Sequence, residues 1–174
     1  MRTKTWIMLA ALCCAVESKA QLSVAADLAW PQGDFGDFYS FGVGPGLGYD
    51  LNVGDMLAIF GQASYDFMTV KEGDDVSNAF MVPYQVGLKL HFGGDPHGIY
   101  AMGLVGGHSL GVKVGDESVS SNLFSWGLGG GFRTKGKLDF AVRYNSISKD
   151  SDVEDAKASP YIGLRIGLFL GGGD

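Results

Sequence analysis

Tyr-Ser-Phe-Gly-Val-Gly-Pro-Gly-Leu-Gly-Tyr-Asp, residues 39–50, alternates strictly between large and small side chains. Because successive side chains of a β-strand point to opposite faces, one face of this segment is bulky and apolar and the other is small or polar. In a water-soluble barrel the bulky face would fill the interior, and the glycines would face water, where they weaken a strand. The pattern therefore favours bulky residues that face lipid and small residues that line a narrow polar interior.

The first 20 residues have the features of a secretion signal. Arg2 and Lys4 precede an apolar run at residues 6–16, which is too short to span a bilayer, and Ser18-Lys19-Ala20 has the small-x-small form of a cleavage site. We expect a signal peptide at residues 1–20 and a mature barrel domain at residues 21–174.

Both cysteines, Cys13 and Cys14, lie inside this signal, so the mature chain would have no disulfide and no thiolate metal site. Lipid attachment to one of these cysteines is the alternative. It needs small residues directly before the cysteine, but the residue before Cys13 is Leu12. The signal holds three basic residues and one acidic residue, so the mature chain is more acidic than the net charge of −6 of the whole sequence. Such a chain is a poor binder of nucleic acid.

The rest of the chain has no stretch that approaches the roughly 20 apolar residues of a spanning helix, although 46% of all residues are hydrophobic and 28 are glycine. A bilayer admits only helices or closed barrels, because every backbone N–H and C=O must find a partner within the protein. Composition therefore favours a barrel.

Eight segments repeat the alternation and are long enough for tilted strands to cross a bilayer. They are residues 21–30, 39–50, 57–67, 80–92, 99–110, 124–133, 138–145 and 161–170. The connections after the second, fourth and sixth segments are turns. Those after the first, third, fifth and seventh are longer and more charged, and we expect them to face outward: residues 31–38, 70–79, 112–122 and 146–159. This pattern predicts an up-and-down barrel with both termini in the periplasm; a soluble barrel of the lipocalin type is the alternative.

Two features leave the strand geometry open. The fifth segment could face lipid with Tyr100, Met102 and Leu104 or with Ile99, Ala101 and Val105, and the pair Gly106-Gly107 could form a bulge. Pro45 and Pro83 lie within strands of a barrel that has no free edge, so we expect a local bulge at each.

The signal-like start, the glycine-alternating segments 39–50 and 125–133, and the last segment, 161–170, resemble those of small eight-stranded outer-membrane barrels. Among these are the OmpX-like and OmpA-barrel types and the porin-family barrel domains of Bacteroidota. The resemblance implies an all-β, antiparallel, up-and-down transmembrane barrel in the cell outer membrane of a Gram-negative bacterium. It also implies a monomer that is inserted by the outer-membrane assembly machinery and contacts outer-membrane lipid and lipopolysaccharide. Many such proteins end on an aromatic residue, whereas here Phe169 and Leu170 precede Gly-Gly-Gly-Asp.

The inward positions carry charges of both signs, which would be costly to bury unpaired. The predicted lumen charge network consists of Asp27, Asp66, Lys89, Asp139, Arg143 and Arg165, with Arg133 as a further candidate. An eight-stranded barrel has an interior that side chains just fill, so this network predicts a structural plug. A narrow channel that selects ions with the same groups is the alternative.

Three further patterns are weaker. His108-Ser109 suggests a lipid A-modifying barrel enzyme, but adjacent strand residues face opposite ways. His91, Asp95 and His97 could ligate a metal at a turn, but no fourth ligand is evident. The acidic segment 150–155 resembles a calcium loop without its glycine and its final carboxylate. We therefore predict no catalytic, cofactor or metal site, and expect a non-enzymatic barrel with a structural or adhesion-type role and an unidentified extracellular partner.

Overall fold

The computed structural model describes residues 20–71, 78–114, 117–149 and 158–170. These residues form nine strands and one short helix: β1 (Ala20–Pro31), α1 (Gly33–Phe38), β2 (Tyr39–Val53), β3 (Leu57–Ser64), β4 (Asp66–Val70), β5 (Asn78–His91), β6 (Gly98–Val114), β7 (Glu117–Arg133), β8 (Leu138–Ile147) and β9 (Ser159–Leu170). No helix in these ranges has the length and hydropathy of a membrane span. Residues 1–19 of the predicted signal at residues 1–20 lie outside the described residues, as do the segments 72–77, 115–116 and 150–157 and the tail 171–174.

The strands close into one antiparallel barrel. Each strand pairs with its neighbours along the chain, and β1 pairs with both β2 and β9, which completes the ring. β3 and β4 are two halves of one barrel strand, separated at Tyr65, because both pair with β2 on one side and with β5 on the other. The predicted eight-stranded, antiparallel, up-and-down barrel is therefore confirmed.

The bulky residues of each segment lie on the outside of the barrel. Phe41, Leu47, Val86 and Trp126 are 47%, 58%, 59% and 42% exposed, whereas the alternating positions of β2, from Gly42 to Asp50, are buried. A soluble carrier would show the opposite arrangement, with these four side chains in its centre. The wall therefore has the orientation that lipid requires.

The structure settles the orientation of β6. Tyr100, Met102 and Leu104 are buried in the lumen, and Ile99 and Val105 are exposed. Pairing with β5 and β7 keeps one register through the Gly106-Gly107 pair, so no bulge forms there.

The prediction of a bulge at Pro45 and at Pro83 was wrong. The register is continuous past both prolines, but the ladder is interrupted between them, where β3 ends and β4 begins. Tyr65 donates its backbone N–H to the oxygen of Pro45 at 3.0 Å, and Pro45 has no N–H to return. The wall thus accommodates the missing N–H donors of the two prolines by a local loss of pairing. The register of β2 against β4 shifts at a different place, between Tyr39 and Phe41.

Two predicted loops and one predicted lipid-facing residue also need correction. The loop predicted at residues 112–122 is largely strand, because β6 and β7 continue to Val114 and Glu117. The loop at residues 31–38 contains α1. Tyr39 is half-buried, and its ring packs at a tilt against that of Phe35, with 5.1 Å between the ring centroids, instead of facing lipid.

Four pairs of a glycine and an aromatic ring face each other across three strand interfaces of the barrel. The directly paired partners are Phe60 and Gly87, Phe80 and Gly111, Tyr84 and Gly107, and Tyr100 and Gly131. In each pair a Cβ on the glycine would lie within 2.8 Å of the opposite ring or its hydroxyl. The rings thus cover the backbone where the strand has no side chain of its own.

Candidate functional site: a charged and closed lumen

Asp27 is the centre of the first charge cluster, together with Arg143 and Arg165; we call it the central cluster. The two carboxylate oxygens of Asp27 accept hydrogen bonds from Arg143 Nη2 at 2.7 Å and from Arg165 Nη1 at 2.9 Å. All three side chains are at least nine-tenths buried. Asp27 and Arg165 are direct partners on β1 and β9, and a Cβ on Gly46 of β2 would lie 2.2 Å from Asp27 Oδ2. The small residues of β2 therefore make the space that this cluster fills.

The second cluster lies nearer the hairpin turns and consists of Asp50, Lys89, Arg133 and Asp139; we call it the turn-end cluster. Asp50 Oδ2 accepts hydrogen bonds from Lys89 Nζ and Arg133 Nη2, both at 2.8 Å. Lys89 Nζ is also 3.7 Å from Asp139 Oδ2. The hydroxyl of Tyr100 donates to Asp139 Oδ1 at 2.8 Å. Two cations and two carboxylates thus balance each other among buried side chains.

Aromatic rings surround the cations of the turn-end cluster. The Arg133 guanidinium lies 3.5 Å from the centroid of the Phe169 ring, and Lys89 Nζ lies 4.9 Å and 5.0 Å from the rings of Phe60 and Tyr100. A cation over a ring face is favourable, and more so when it is desolvated. Phe169, the penultimate residue of the last described strand, therefore closes the lumen from the turn end.

Amide and hydroxyl groups fill the lumen beside the central cluster. Gln85 Nε2 donates to Ser125 Oγ and to Asn145 Oδ1, each at 3.2 Å, and Gln62 Nε2 donates to Gln85 Oε1 at 3.3 Å. A void of about 10 Å³ lies between the two clusters and is lined by residues that include Lys89. This is the space of a single water molecule.

An apolar cap closes the opposite end of the lumen. Its buried members are Ala29, Phe35, Met68, Ala79, Met81, Ile147 and Tyr161. Phe35 comes from α1, which is tied down on both sides: Gln32 donates its backbone N–H to Pro160 O at 2.9 Å, and Lys71 donates its own to Phe38 O at 3.0 Å. The loop that contains α1 thus folds back into the barrel mouth.

His108 forms a buried pair with Tyr161 of this cap. His108 Nε2 and the Tyr161 hydroxyl are 2.7 Å apart, and neither side chain is more than 1% exposed. Ser109 lies on the opposite face of β6 from His108. The structure therefore does not bring together the histidine and serine that the enzyme alternative requires.

We expect Tyr161→Phe to lower the free energy of unfolding by about 1–3 kcal/mol, because it leaves a buried imidazole nitrogen without its hydrogen-bond partner. Urea unfolding in lipid vesicles measures the change. Tyr144→Phe is the matched control, since Tyr144 is 45% exposed on the outer wall. Equal stability of the two variants would contradict the assigned pairing.

The structure places the six predicted lumen residues as follows. Asp27, Arg143 and Arg165 meet in the central cluster, and Lys89 and Asp139 lie in the turn-end cluster. Asp66 is buried but joins neither cluster by an ion pair among the described residues; Ser64 Oγ donates to its Oδ2 at 3.2 Å.

Arg133, the further candidate, and Asp50 complete the turn-end cluster. The predicted lumen charges did not include Asp50, although it continues the inward series of Gly46 and Gly48. That alternation was the signal that could have identified it.

The turn after β5 does not assemble the possible metal site. His91 is buried in the lumen with its ring tilted against that of Tyr100, whereas Asp95 and His97 are exposed in the turn. Asp95 Oδ1 accepts hydrogen bonds from the backbone N–H and the ring of His97, and these bonds hold the pKa of Asp95 below its usual value. Within the described ranges no three His, Cys, Asp or Glu side chains lie close enough to hold a metal ion. The acidic segment 150–155 lies outside those ranges.

Solved structures of several small bacterial barrels share this fold. Neisserial surface protein A is 14% identical, with a TM-score of 0.60 over 86% of this chain and 96% of its own. Ail, the attachment invasion locus protein of Yersinia pestis, is 15% identical, with a TM-score of 0.57 over 89% of this chain and 100% of its own. The N-terminal barrel domain of Pseudomonas aeruginosa OprF is 15% identical, with a TM-score of 0.52 over 87% of this chain and 100% of its own. At these identities the likeness shows the fold alone.

Sequence comparison gives the family. No curated protein sequence matches this chain significantly, and the narrower likeness to barrels of Bacteroidota stays a prediction. The family profile of the outer membrane protein beta-barrel domain matches residues 7–167. Together with the closed antiparallel barrel and its lipid-facing wall, this match shows that the chain belongs to the outer membrane protein β-barrel family and resides in the outer membrane.

Proposed function

We propose that this barrel is a non-conducting, non-enzymatic component of the outer membrane, with a structural or adhesion-type role at the cell surface. The filled lumen carries this proposal. The central cluster and the turn-end cluster follow one another along the barrel axis, and the apolar cap lies above them. A solute would have to separate buried ion pairs at two levels, and breaking one such pair costs about 3–5 kcal/mol.

The hairpin of β6 and β7 supports a role at the surface. Ser148 donates its backbone N–H to Phe124 O where β8 ends, and β7 continues past this point as strand, paired with β6. The outward side chains change there from Phe124 and Trp126 to Ser120 and Asn122. Because polar side chains mark the end of the hydrocarbon, this end of the sheet projects from the membrane. The hairpin is flanked by β5, which stays paired with β6 up to Lys113, whereas β8 pairs with β7 only from Ser125 onward among the described residues.

The names of two structurally similar proteins support a role at the surface. Ail is described as an attachment invasion locus protein, and neisserial surface protein A as a surface protein. A barrel with a sealed lumen and a projecting hairpin would serve the same kind of surface contact. Its partner lies on the extracellular side and is unidentified.

We expect the purified protein to give no unitary conductance steps in planar lipid bilayers at any applied voltage. Insertion is verified by the heat-modifiable mobility of the reconstituted protein on gels. Stable conductance steps of uniform size in the wild type would contradict the structural plug and support the narrow channel. Hydrolysis or acyl transfer on lipopolysaccharide that is lost in His108→Ala would instead restore the enzyme alternative.

A further inference from the structure

Each of the two charge clusters has a charged group whose hydrogen bonds are incomplete. In the central cluster, Arg165 Nη1 binds Asp27, but among the described residues no group accepts a hydrogen bond from Arg165 Nη2. The Arg165 side chain is only 7% exposed. In the turn-end cluster, Asp139 Oδ1 accepts from Tyr100, whereas Asp139 Oδ2 lies 3.7 Å from Lys89 Nζ, beyond the range of a hydrogen bond. The lumen thus holds a buried donor and a buried acceptor that each need a further partner.

The void between the two clusters lies against both of these groups. Its lining includes Arg165 and Asp139, and also Ser23 and Gly48. A Cβ on Gly48 would lie 2.5 Å from Ser23 Oγ and 3.2 Å from Arg165 Nη2, so both polar atoms are directed at the space above this glycine. At about 10 Å³ the void has room for one water molecule and for no larger ligand.

We propose that this void is a binding site for one structural water molecule, which bridges the two charge clusters. The water accepts a hydrogen bond from Arg165 Nη2 and donates its own hydrogens to Asp139 Oδ2 and Ser23 Oγ. Three partners are the usual number for a buried water. The bridge joins the central cluster and the turn-end cluster into one continuous network along the lumen.

The charges around the void favour water over an ion. Two cations, Lys89 and Arg165, and two carboxylates, Asp50 and Asp139, belong to its lining. An added cation would lie beside the two cations, and an added anion beside the two carboxylates, in buried surroundings where such repulsion is strong. A neutral molecule that both donates and accepts hydrogen bonds matches this lining. Water is such a molecule, and it fits the volume.

The site gives Gly48 a role that differs from that of its neighbours on β2. The other inward glycines leave room for protein groups: Gly44 for the backbone of Tyr65, and Gly46 for the carboxylate of Asp27. Above Gly48 the nearest atoms are the polar ends of two side chains, which a water molecule can bind. An alanine here would place between them a methyl group that neither donates nor accepts a hydrogen bond. We therefore expect Gly48→Ala to displace the water.

Radiolytic footprinting tests the proposal in the protein reconstituted into lipid vesicles. A short X-ray pulse converts bound water into hydroxyl radicals, which oxidise the side chains in contact with that water. Met102 lines the void and is 5% exposed, and methionine is readily oxidised to its sulfoxide. We expect oxidation of Met102 in the wild type and its loss in Gly48→Ala. Met81 of the apolar cap is the internal reference, and its oxidation should be the same in both proteins.

Gly167→Ala is the matched control. Gly167 is also an inward glycine of the lumen, but it lies outside the lining of the void, and its Cβ would meet no atom closer than 3.7 Å. This variant should keep the oxidation of Met102 at the wild-type level. Heat-modifiable mobility shows whether each variant folds. If Gly48→Ala does not fold, NMR of the wild type takes its place, and long-lived water should transfer magnetisation to the Met102 methyl group.

Four results would overturn the proposal. Met102 that stays unoxidised in the wild type would show a dry void. Equal oxidation of Met102 in the wild type and in Gly48→Ala would show that the radicals arise elsewhere. Equal loss in Gly48→Ala and in Gly167→Ala would show that the barrel as a whole, and not this site, controls the oxidation. In the NMR measurement, the absence of transfer to Met102 has the same meaning as a dry void.

Discussion

Replacing Asp27 with asparagine should lower the free energy of unfolding by about 3–5 kcal/mol, because it leaves two buried guanidinium groups without their shared counter-ion. Arg143 and Arg165 both donate to this one carboxylate, at 2.7 Å and 2.9 Å. Neither arginine forms an ion pair with another carboxylate among the described residues, although Asp66 is buried in the same lumen. Urea unfolding in lipid vesicles, followed by tryptophan fluorescence, measures the loss.

Two further variants serve as controls for this prediction. Asp95→Asn removes a carboxylate that pairs with His97 in an exposed turn, and it should leave stability close to that of the wild type, because an exposed ion pair contributes little. The double variant Asp27→Asn/Arg165→Gln should recover part of the loss, since it also removes one of the unpaired charges. A single variant as stable as the wild type would show that the central cluster is not held together by Asp27.

Gly44→Ala should destabilise the barrel by about 3 kcal/mol, at the upper end of the cost of overpacking. A Cβ at this position would lie 1.8 Å from the backbone oxygen of Tyr65 and 2.8 Å from the Cα of Asp66. Both atoms belong to the backbone of the neighbouring strand, so no side-chain rotation relieves the contact. The neighbouring strand comes this close to Gly44 at Tyr65, where its pairing with β2 is interrupted between β3 and β4.

Gly61→Ala is the control for this second prediction. It is the same substitution on the adjacent strand, but its Cβ would meet nothing closer than 3.9 Å. Because alanine is favoured over glycine in a strand, this variant should be neutral or more stable by up to about 1 kcal/mol. The urea midpoints of the two variants, compared with that of the wild type, measure the contrast. Equal midpoints would show that Gly44 has more room than its neighbours allow in the structure.

The wall could be predicted from sequence because a bilayer imposes the same requirement on every strand. Each outward residue has to be apolar, and each inward residue has to fit a narrow lumen, so the period of two persists from β1 to β9. The ambiguous strand, β6, is the one whose inward residues include Tyr100, Met102 and Leu104. Large apolar residues on both of its faces removed the contrast on which the prediction depends.

The lumen was predicted less completely, because alternation identifies the face of a residue but not its partner. Asp50 and Arg133 meet across the lumen from β2 and β7, which are far apart in sequence. Their contact depends on the stagger of strands around the whole ring, which no single segment encodes. For the same reason the sequence did not separate the predicted network into two clusters, or show that Asp66 stands apart from both.

The apolar cap was missed for a different reason. Residues 31–38 carry proline, glycine and aspartate, which indicate a turn or loop. Such a composition does not reveal that Phe35 inserts into the barrel mouth, because this insertion depends on contacts with Met68, Met81 and Ile147 from other strands.

The aromatic rings that face glycines on neighbouring strands restrict the register in which those strands can pair. Tyr84 fits over Gly107, and a slip by two residues would set it against Val105 or Ser109, whose side chains occupy that space. Tyr100 meets Gly131 in the same way on the next interface, so the hairpins of this half of the ring hold their own alignment. We therefore expect that surface connections can be lengthened or exchanged without a shift of strand register, which would suit the barrel to the display of foreign epitopes.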